Sequence, residues 1–199
     1  MPSAAILAGG RARRFGGREK SRLLVDGRSI LERQIAELSA VVDDMLIVGG
    51  APAADATVLP GVRWIADRVA DRGPLGGLEA AFAAARHDAL VVVACDMPFV
   101  TAALLGHLLA SLDGVDAAVP VTGRGRHPLC AAYTRRCEPV VARLLADDRL
   151  AMKDLLERIR VREVRPADLA RFGPPDRLLA NVNSPAEFDE LHTLPGHTR

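Results

Sequence analysis

The sequence predicts a doubly wound α/β sandwich of three layers around a mostly parallel central sheet, and three observations carry that prediction. Short apolar runs alternate with helix-spaced patterns almost from end to end. One run, Ala89 to Ala94, is apolar without interruption, which suits a strand covered on both faces of a parallel sheet. The chain has 199 residues, 49% hydrophobic and 26% charged, the mix of an ordinary globular protein. That length can bury roughly 70% of the surface an unfolded chain exposes. No repeat or linker divides it, so the expectation is one domain over residues 1–192 and a frayed tail over 193–199.

The elements follow in order. Ala4 to Leu7 reads as the first strand, ahead of a loop rich in glycine and arginine. Leu23 to Val25 and an Asp26-Gly27 turn lead to Ile30, Leu31, Ile35 and Leu38, spaced for one helix face. Ser29 with Glu32 three residues on makes a capping box. Met45 to Val48 and Val62 to Ile65 read as strands, and Leu75 to Ala85 as an alanine-rich helix behind the Gly73-Pro74 break. After the Ala89 strand, Thr101 caps a helix that runs to Leu112. Ala117 to Val121 and Leu129 to Tyr133 read as strands around a turn at Gly123 to Arg126. Helices at Pro139 to Leu145 and Ala151 to Arg158, a strand at Val161 to Val164 and a last helix at Pro185 to Leu191 complete the pattern.

Charge narrows the function classes. The 26 basic and 25 acidic side chains leave a net charge of +1, which argues against broad binding to nucleic acid or an anionic membrane. No apolar run approaches the roughly 20 residues of a membrane helix, and the amino terminus lacks the marks of a secretory signal, so the expected location is the cytoplasm. Locally, Arg11, Arg13, Arg14, Arg18, Lys20 and Arg22 stand against a lone Glu19. Such a cluster in a neutral chain suits a small polyanion such as a nucleotide; the plainer alternative is a solvated charged loop. Cys95, Cys130 and Cys137 show no paired spacing and read as buried, inert thiols. His127 is the one histidine near other candidate residues, and it reads as a loop histidine.

The informative segment runs from Leu7 to Lys20. A strand delivers the chain to Gly9 and Gly10, whose backbone amides a phosphate can approach without obstruction from Cβ. Arg14, Gly16, Gly17 and Lys20 follow, so two cations can reach into a glycine loop able to wrap a triphosphate. The spacing is neither GxxxxGK[ST] nor GxGxxG, so neither a Walker loop nor a dinucleotide fingerprint is present. Lys20 is one of only two lysines beside 24 arginines, which marks a position where a compact point charge suits the site.

Three further groups belong with this loop. Asp96 ends the most apolar strand, at the end where α/β folds bind ligands, and offers a hard oxygen to Mg²⁺. Asp67, with Gly73, Gly76 and Gly77 at the start of a helix, can read a base or sugar and hold an anion; a plain turn is the alternative. Asn181 and Asn183 flank Val182 and would share one side of a strand, binding a ligand or metal, or closing an Asx turn.

With these residues on the page, the chain resembles the molybdenum cofactor guanylyltransferases, of the wider nucleotidyltransferase superfamily. The resemblance covers nearly the whole chain: Leu7-Ala8-Gly9-Gly10, Arg14, Gly16-Gly17, Lys20, Asp67, Gly73-Pro74-Leu75-Gly76-Gly77, Asp96-Met97-Pro98, His127-Pro128 and Asn181-Val182-Asn183. It implies a Rossmann-like nucleotidyltransferase fold and transfer of GMP from GTP to the terminal phosphate of molybdopterin, with release of pyrophosphate. It implies GTP contacts from Leu7, Ala8, Gly9, Gly10, Lys20, Asp67 and Asp96, with Asp96 also the Mg²⁺ ligand. It implies molybdopterin contacts from Arg14, Gly17, Gly73, Gly77, Asn181 and Asn183, with Lys20, Arg14 and Asp96 as the catalytic set. Proteins that deliver the cofactor and mature molybdoenzymes are the partners it implies. Glu19 and Phe15 stand where members often have Asp and Met, and Gly49 where some place a nucleotide-contacting Asn, a contact not carried over. Alternatives are a CTP-dependent molybdopterin cytidylyltransferase, against which Gly9 speaks, another nucleotidyltransferase, and a non-catalytic nucleotide-binding protein.

Overall fold

A computed structural model of the chain describes residues 1–8, 24–25, 27–49, 61–66, 72–182 and 187. The strands are β1 (Ser3–Leu7), β2 (Leu24–Val25), β3 (Arg28–Ser29), β4 (Asp44–Val48), β5 (Val62–Ile65), β6 (Ala89–Ala94), β7 (Ala117–Thr122), β8 (Gly125–Arg126), β9 (Cys130–Thr134) and β10 (Val161–Val164). The helices are α1 (Ile30–Ser39), α2 (Gly73–Ala84), α3 (Ala102–Ala110), α4 (Glu138–Ala146), α5 (Met152–Leu156), α6 (Pro166–Leu169) and α7 (Pro175–Leu178). Among the described residues no helix is long and apolar enough to cross a membrane.

The sheet runs β10-β7-β9-β6-β1-β4-β5, and β8 pairs with β7. β5, β4, β1 and β6 are mutually parallel, β9 is antiparallel to both β6 and β7, and β10 is parallel to β7. The mostly parallel doubly wound sheet is therefore as expected. From β1 the chain moves outward through β4 and β5, then returns to place β6 on the other side of β1. That reversal opens a crevice at the carboxyl ends of β1 and β6, the usual ligand site of such sheets.

Alternation along each strand divides the core into two halves. Ala4 and Ile6 of β1 pack on one face with Leu38 of α1, Leu104 and Leu108 of α3, Leu169 of α6 and Leu178 of α7. Ala5 and Leu7 pack on the other with Leu75 and Leu78 of α2, Val141 of α4 and Leu155 of α5. Both faces are covered, which is why β1 and β6 read as unbroken apolar runs.

Several local expectations hold. Ser29 and Glu32 form the reciprocal capping box of α1, and the Thr101 side chain accepts from the Leu104 N–H to cap α3. β2 and β3 form a short antiparallel pair, and Asp26 of the expected turn lies outside the described residues. Others need correction. α2 begins at Gly73, two residues ahead of the expected start, because a proline suits a helix's first turn. Part of the expected turn at Gly123 to Arg126 is β8, which folds back on β7. Asn181 and Val182 do not lie in a strand. The Val182 N–H instead donates to the Asp96 carbonyl at 2.7 Å. Of the last expected helix only Glu187 is among the described residues, and the expected tail lies outside them.

Candidate active site

The crevice is built from two adjacent strand ends. The Cys95 N–H donates to the Leu7 carbonyl at 3.2 Å, and the Ala8 N–H to that of Val48 at 2.8 Å. Leu7 is buried and Ala8 half-buried, so the chain is held in register up to the point where the glycine loop departs. Gly49 follows β4 with φ +80°, buried, its N–H on the Ile65 carbonyl at 2.9 Å.

Asp96 stands two residues beyond the end of β6, half-buried. Its turn is closed by the Met97 N–H donating to the Ala94 carbonyl at 3.3 Å. Asn181 Nδ2 donates to Asp96 Oδ1 at 2.8 Å. From α1, Gln34 Nε2 donates to the carbonyls of Ala94 at 2.7 Å and Met97 at 3.0 Å. Phe99, at the end of the same loop, lies 4.9 Å from the guanidinium carbon of the buried Arg177. The Ala180 N–H donates to the Arg177 carbonyl at 3.1 Å, which ties α7 to the segment carrying Asn181.

The start of α2 meets the end of β1. Gly73 is exposed at φ +59°, a left-handed conformation that favours glycine. A Cβ on Gly76 would fall 2.7 Å from the Arg72 Cβ, and one on Gly77 would fall 3.3 Å from Leu7 Cδ2. The Gly77 position thus seats α2 tightly behind the strand that leads to Ala8. Among the described residues no side chain caps the amino end of this 12-residue helix, whose first-turn amides carry a partial positive charge.

The structure therefore brings Leu7, Ala8, Gly77, Asp96 and Asn181 to one end of the sheet, with Gly73 at the head of the helix seated there. Gly9, Gly10, Arg14, Gly17, Lys20, Asp67 and Asn183 lie outside the described residues, as do Phe15 and Glu19. His127 has a structural setting: its Nε2 is 2.8 Å from Thr122 Oγ1, and its N–H donates to the Pro120 carbonyl at 2.9 Å. Burial first, and Arg124 second, lower its pKa against the opposing pull of Asp176. The three cysteines are buried and form no disulfide among the described residues, and burial pushes the Cys130 and Cys137 thiols up to about 12.

Two residues of this neighbourhood escape sequence reasoning. Gln34 falls four residues after Ile30 and four before Leu38, on the buried stripe of α1, and an amide inside an apolar stripe is the signal that would have found it. Arg177 lies in a four-residue helix, too short to display a face.

The donor set bears on a metal. Among the described residues no group of three or more His, Cys, Asp or Glu side chains could hold an ion. Asp96 offers one hard carboxylate, which fits a cation that keeps several waters and shares substrate phosphates, as Mg²⁺ does, and does not fit an all-protein cage.

Residues 4–164 match the family of the MobA-like NTP transferase domain. A molybdenum cofactor guanylyltransferase of Desulfosudis oleivorans is 34% identical over 93% of this chain and 91% of its own length. A probable molybdenum cofactor guanylyltransferase of Pelotomaculum thermopropionicum is 31% identical over 99% of this chain and 95% of its own. Among solved structures, molybdopterin-guanine dinucleotide biosynthesis protein A from Archaeoglobus fulgidus aligns with a TM-score of 0.77 and 26% identity, covering 95% of this chain and 96% of that one.

Proposed function

Since the chain belongs to the MobA-like NTP transferase family, we propose that it transfers GMP from GTP to the terminal phosphate of molybdopterin, in the cytoplasm. The observation that carries this reading is the near full-length match to proteins named for guanylyl transfer, on a chain whose Asp96 stands at the β1/β6 crevice. Those names favour GTP over CTP, as does Gly9 in the loop.

In the reaction a phosphate oxygen of molybdopterin attacks the α-phosphorus of GTP. The new O–P bond forms as the bond from the α-phosphorus to the bridging oxygen of the β-phosphate breaks, and the electron pair leaves with pyrophosphate. The nucleophile is already an anion, so no strong general base is required. The barrier lies in bringing two polyanions together and in stabilising charge on the leaving group. Gly9 and Gly10 offer backbone amides to the triphosphate, Leu7 and Ala8 contact the nucleotide at the end of β1, and Lys20 and Arg14 place positive charge on it. Asp67 contacts the nucleoside. Gly17, Gly73, Gly77, Asn181 and Asn183 belong to the molybdopterin side, where exposed Gly73 lets the substrate approach the backbone and Gly77 acts by seating α2 against Leu7. Asp96 would hold Mg²⁺, which when bound supplies Lewis-acid stabilisation of phosphate charge.

The test is pyrophosphate release by wild type and Asp96→Asn with GTP, molybdopterin and Mg²⁺. The variant is expected to lose about 10²-fold or more in turnover with an unchanged circular dichroism spectrum. Wild-type rates in Asp96→Asn would overturn the assignment.

A further inference from the structure

We propose that Gln34 and Asn181 are positioning residues for the Asp96 carboxylate, Gln34 by clamping the turn that carries it and Asn181 by occupying one of its two oxygens. The proposal rests on the reading above, in which Asp96 holds the divalent cation.

Donors reach residues 94–97 from two separate elements. Gln34 Nε2 spans the turn, donating to Ala94 at 2.7 Å and to Met97 at 3.0 Å, the carbonyls on either side of Cys95-Asp96. The Val182 N–H holds the Asp96 carbonyl at 2.7 Å, and Asn181 Nδ2 holds Oδ1 at 2.8 Å. Backbone and carboxylate are thus fixed by different elements, α1 and the segment after α7. With Oδ1 engaged by the amide, rotation about the Cβ–Cγ bond is restrained and Oδ2 is the oxygen presented to a cation.

Gln34 carries a sign that this arrangement is not there for stability. Its side chain is 1% exposed on the apolar stripe of α1, and among the described residues its Oε1 has no hydrogen-bond partner. A buried unpaired acceptor is unfavourable, and Leu or Met would fill the stripe without one. Local rules broken in this way concentrate at functional sites. The two donors of the Gln34 amide meet the two carbonyls that frame the metal-bearing turn. Asn181 is exposed, so its bond to Asp96 is not needed to satisfy a buried group.

Outer partners of a metal-ligating side chain orient it, and their loss typically weakens metal binding about 10- to 100-fold. The experiment titrates Mn²⁺ by electron paramagnetic resonance at saturating GTP with wild type, Asn181→Ala, Gln34→Met, Asp96→Ala and the Asp96→Ala/Asn181→Ala double variant. Asn181→Ala and Gln34→Met are each expected to weaken Mn²⁺ about 10-fold or more, while GTP affinity in EDTA stays unchanged. In the Asp96→Ala background, Asn181→Ala should cause no further loss. Unchanged Mn²⁺ affinity in Asn181→Ala, with only the molybdopterin KM raised, would make it a plain substrate contact and overturn its positioning role. Gln34→Met that melts lower yet binds Mn²⁺ as wild type does would reduce Gln34 to a structural residue. Absence of any Mn²⁺-dependent GTP binding by wild type would instead overturn the functional reading, and this inference with it.

Discussion

Replacing Asp44 by alanine should separate the end of the sheet that stabilises the fold from the end that binds ligand. Asp44 opens β4 beside Ser3 of β1 and is 2% exposed. Its carboxylate accepts from Ser3 Oγ at 2.7 Å, from the Arg86 N–H at 2.9 Å and from Arg63 Nη2 at 2.6 Å. Removing one partner of a buried ion pair costs about 3–5 kcal/mol. The Arg63 side chain is 35% exposed and also donates to the Ala84 carbonyl, so water screens part of the loss and the lower end, about 3 kcal/mol, applies. For a chain of this size that is a fall in Tm of about 6–12 °C. The site lies four residues along β1, roughly 13 Å away, so GTP affinity at a temperature where the variant is folded should not change. Thermal unfolding by circular dichroism, with nucleotide titration at 15 °C, reads both quantities. Acid sharpens the test. Burial opposes ionisation of Asp44, but the Arg86 N–H, the Ser3 hydroxyl and Arg63 outweigh it and hold its pKa below the ordinary 3.8. The carboxylate's contribution is therefore present above pH 4 and is lost as pH falls through the lower folded value. Below pH 4, stability of the variant should fall less steeply than that of wild type. A Tm within about 2 °C of wild type, or a parallel loss of GTP affinity, would refute the reasoning.

Other expectations follow from packing and burial. Gly76→Ala would set a Cβ 2.7 Å from the Arg72 Cβ, neither atom able to swing away, so it should destabilise by about 1–3 kcal/mol. Arg72→Gly in the same chain should recover most of that loss, and a Gly76→Ala protein that melts with wild type would refute the packing of α2. Burial pushes the thiols of Cys130 and Cys137 up to about 12, so both should resist alkylation by iodoacetamide at pH 8 in the folded protein. Both should react in guanidinium chloride, and labelling of either in native buffer, read by peptide mass mapping, would contradict their burial.

What the sequence reveals depends on how locally each feature is encoded. The apolar run of β6 marks a strand covered on both faces, and the Ser29 and Glu32 pair marks the start of α1, because each signal is complete within a few residues. Asp96 is legible because it interrupts such a run at its functional end. The antiparallel insertion of β9 between β6 and β7 is not legible, since pairing partners along β6 and β9 lie 37 to 45 residues apart with no local mark. The helices α6 and α7 span only four residues each, less than a repeat of their own pattern. Asn181 looks like half of an alternating strand pair, but its amide is directed to Asp96, 85 residues earlier. Gln34 and Asp44 are missed for a shared reason: a polar residue on a buried face is meaningful only once its partner across the fold is known.

The measurement that tests the account most directly is incubation of the purified protein with molybdopterin, Mg²⁺ and either GTP or CTP, with products identified by mass spectrometry and pyrophosphate measured in parallel. Guanylyl transfer predicts the guanine dinucleotide of molybdopterin and pyrophosphate in equal amounts from GTP, and little product from CTP. Cytidylyl product from CTP, or no pyrophosphate from either nucleotide, would contradict it.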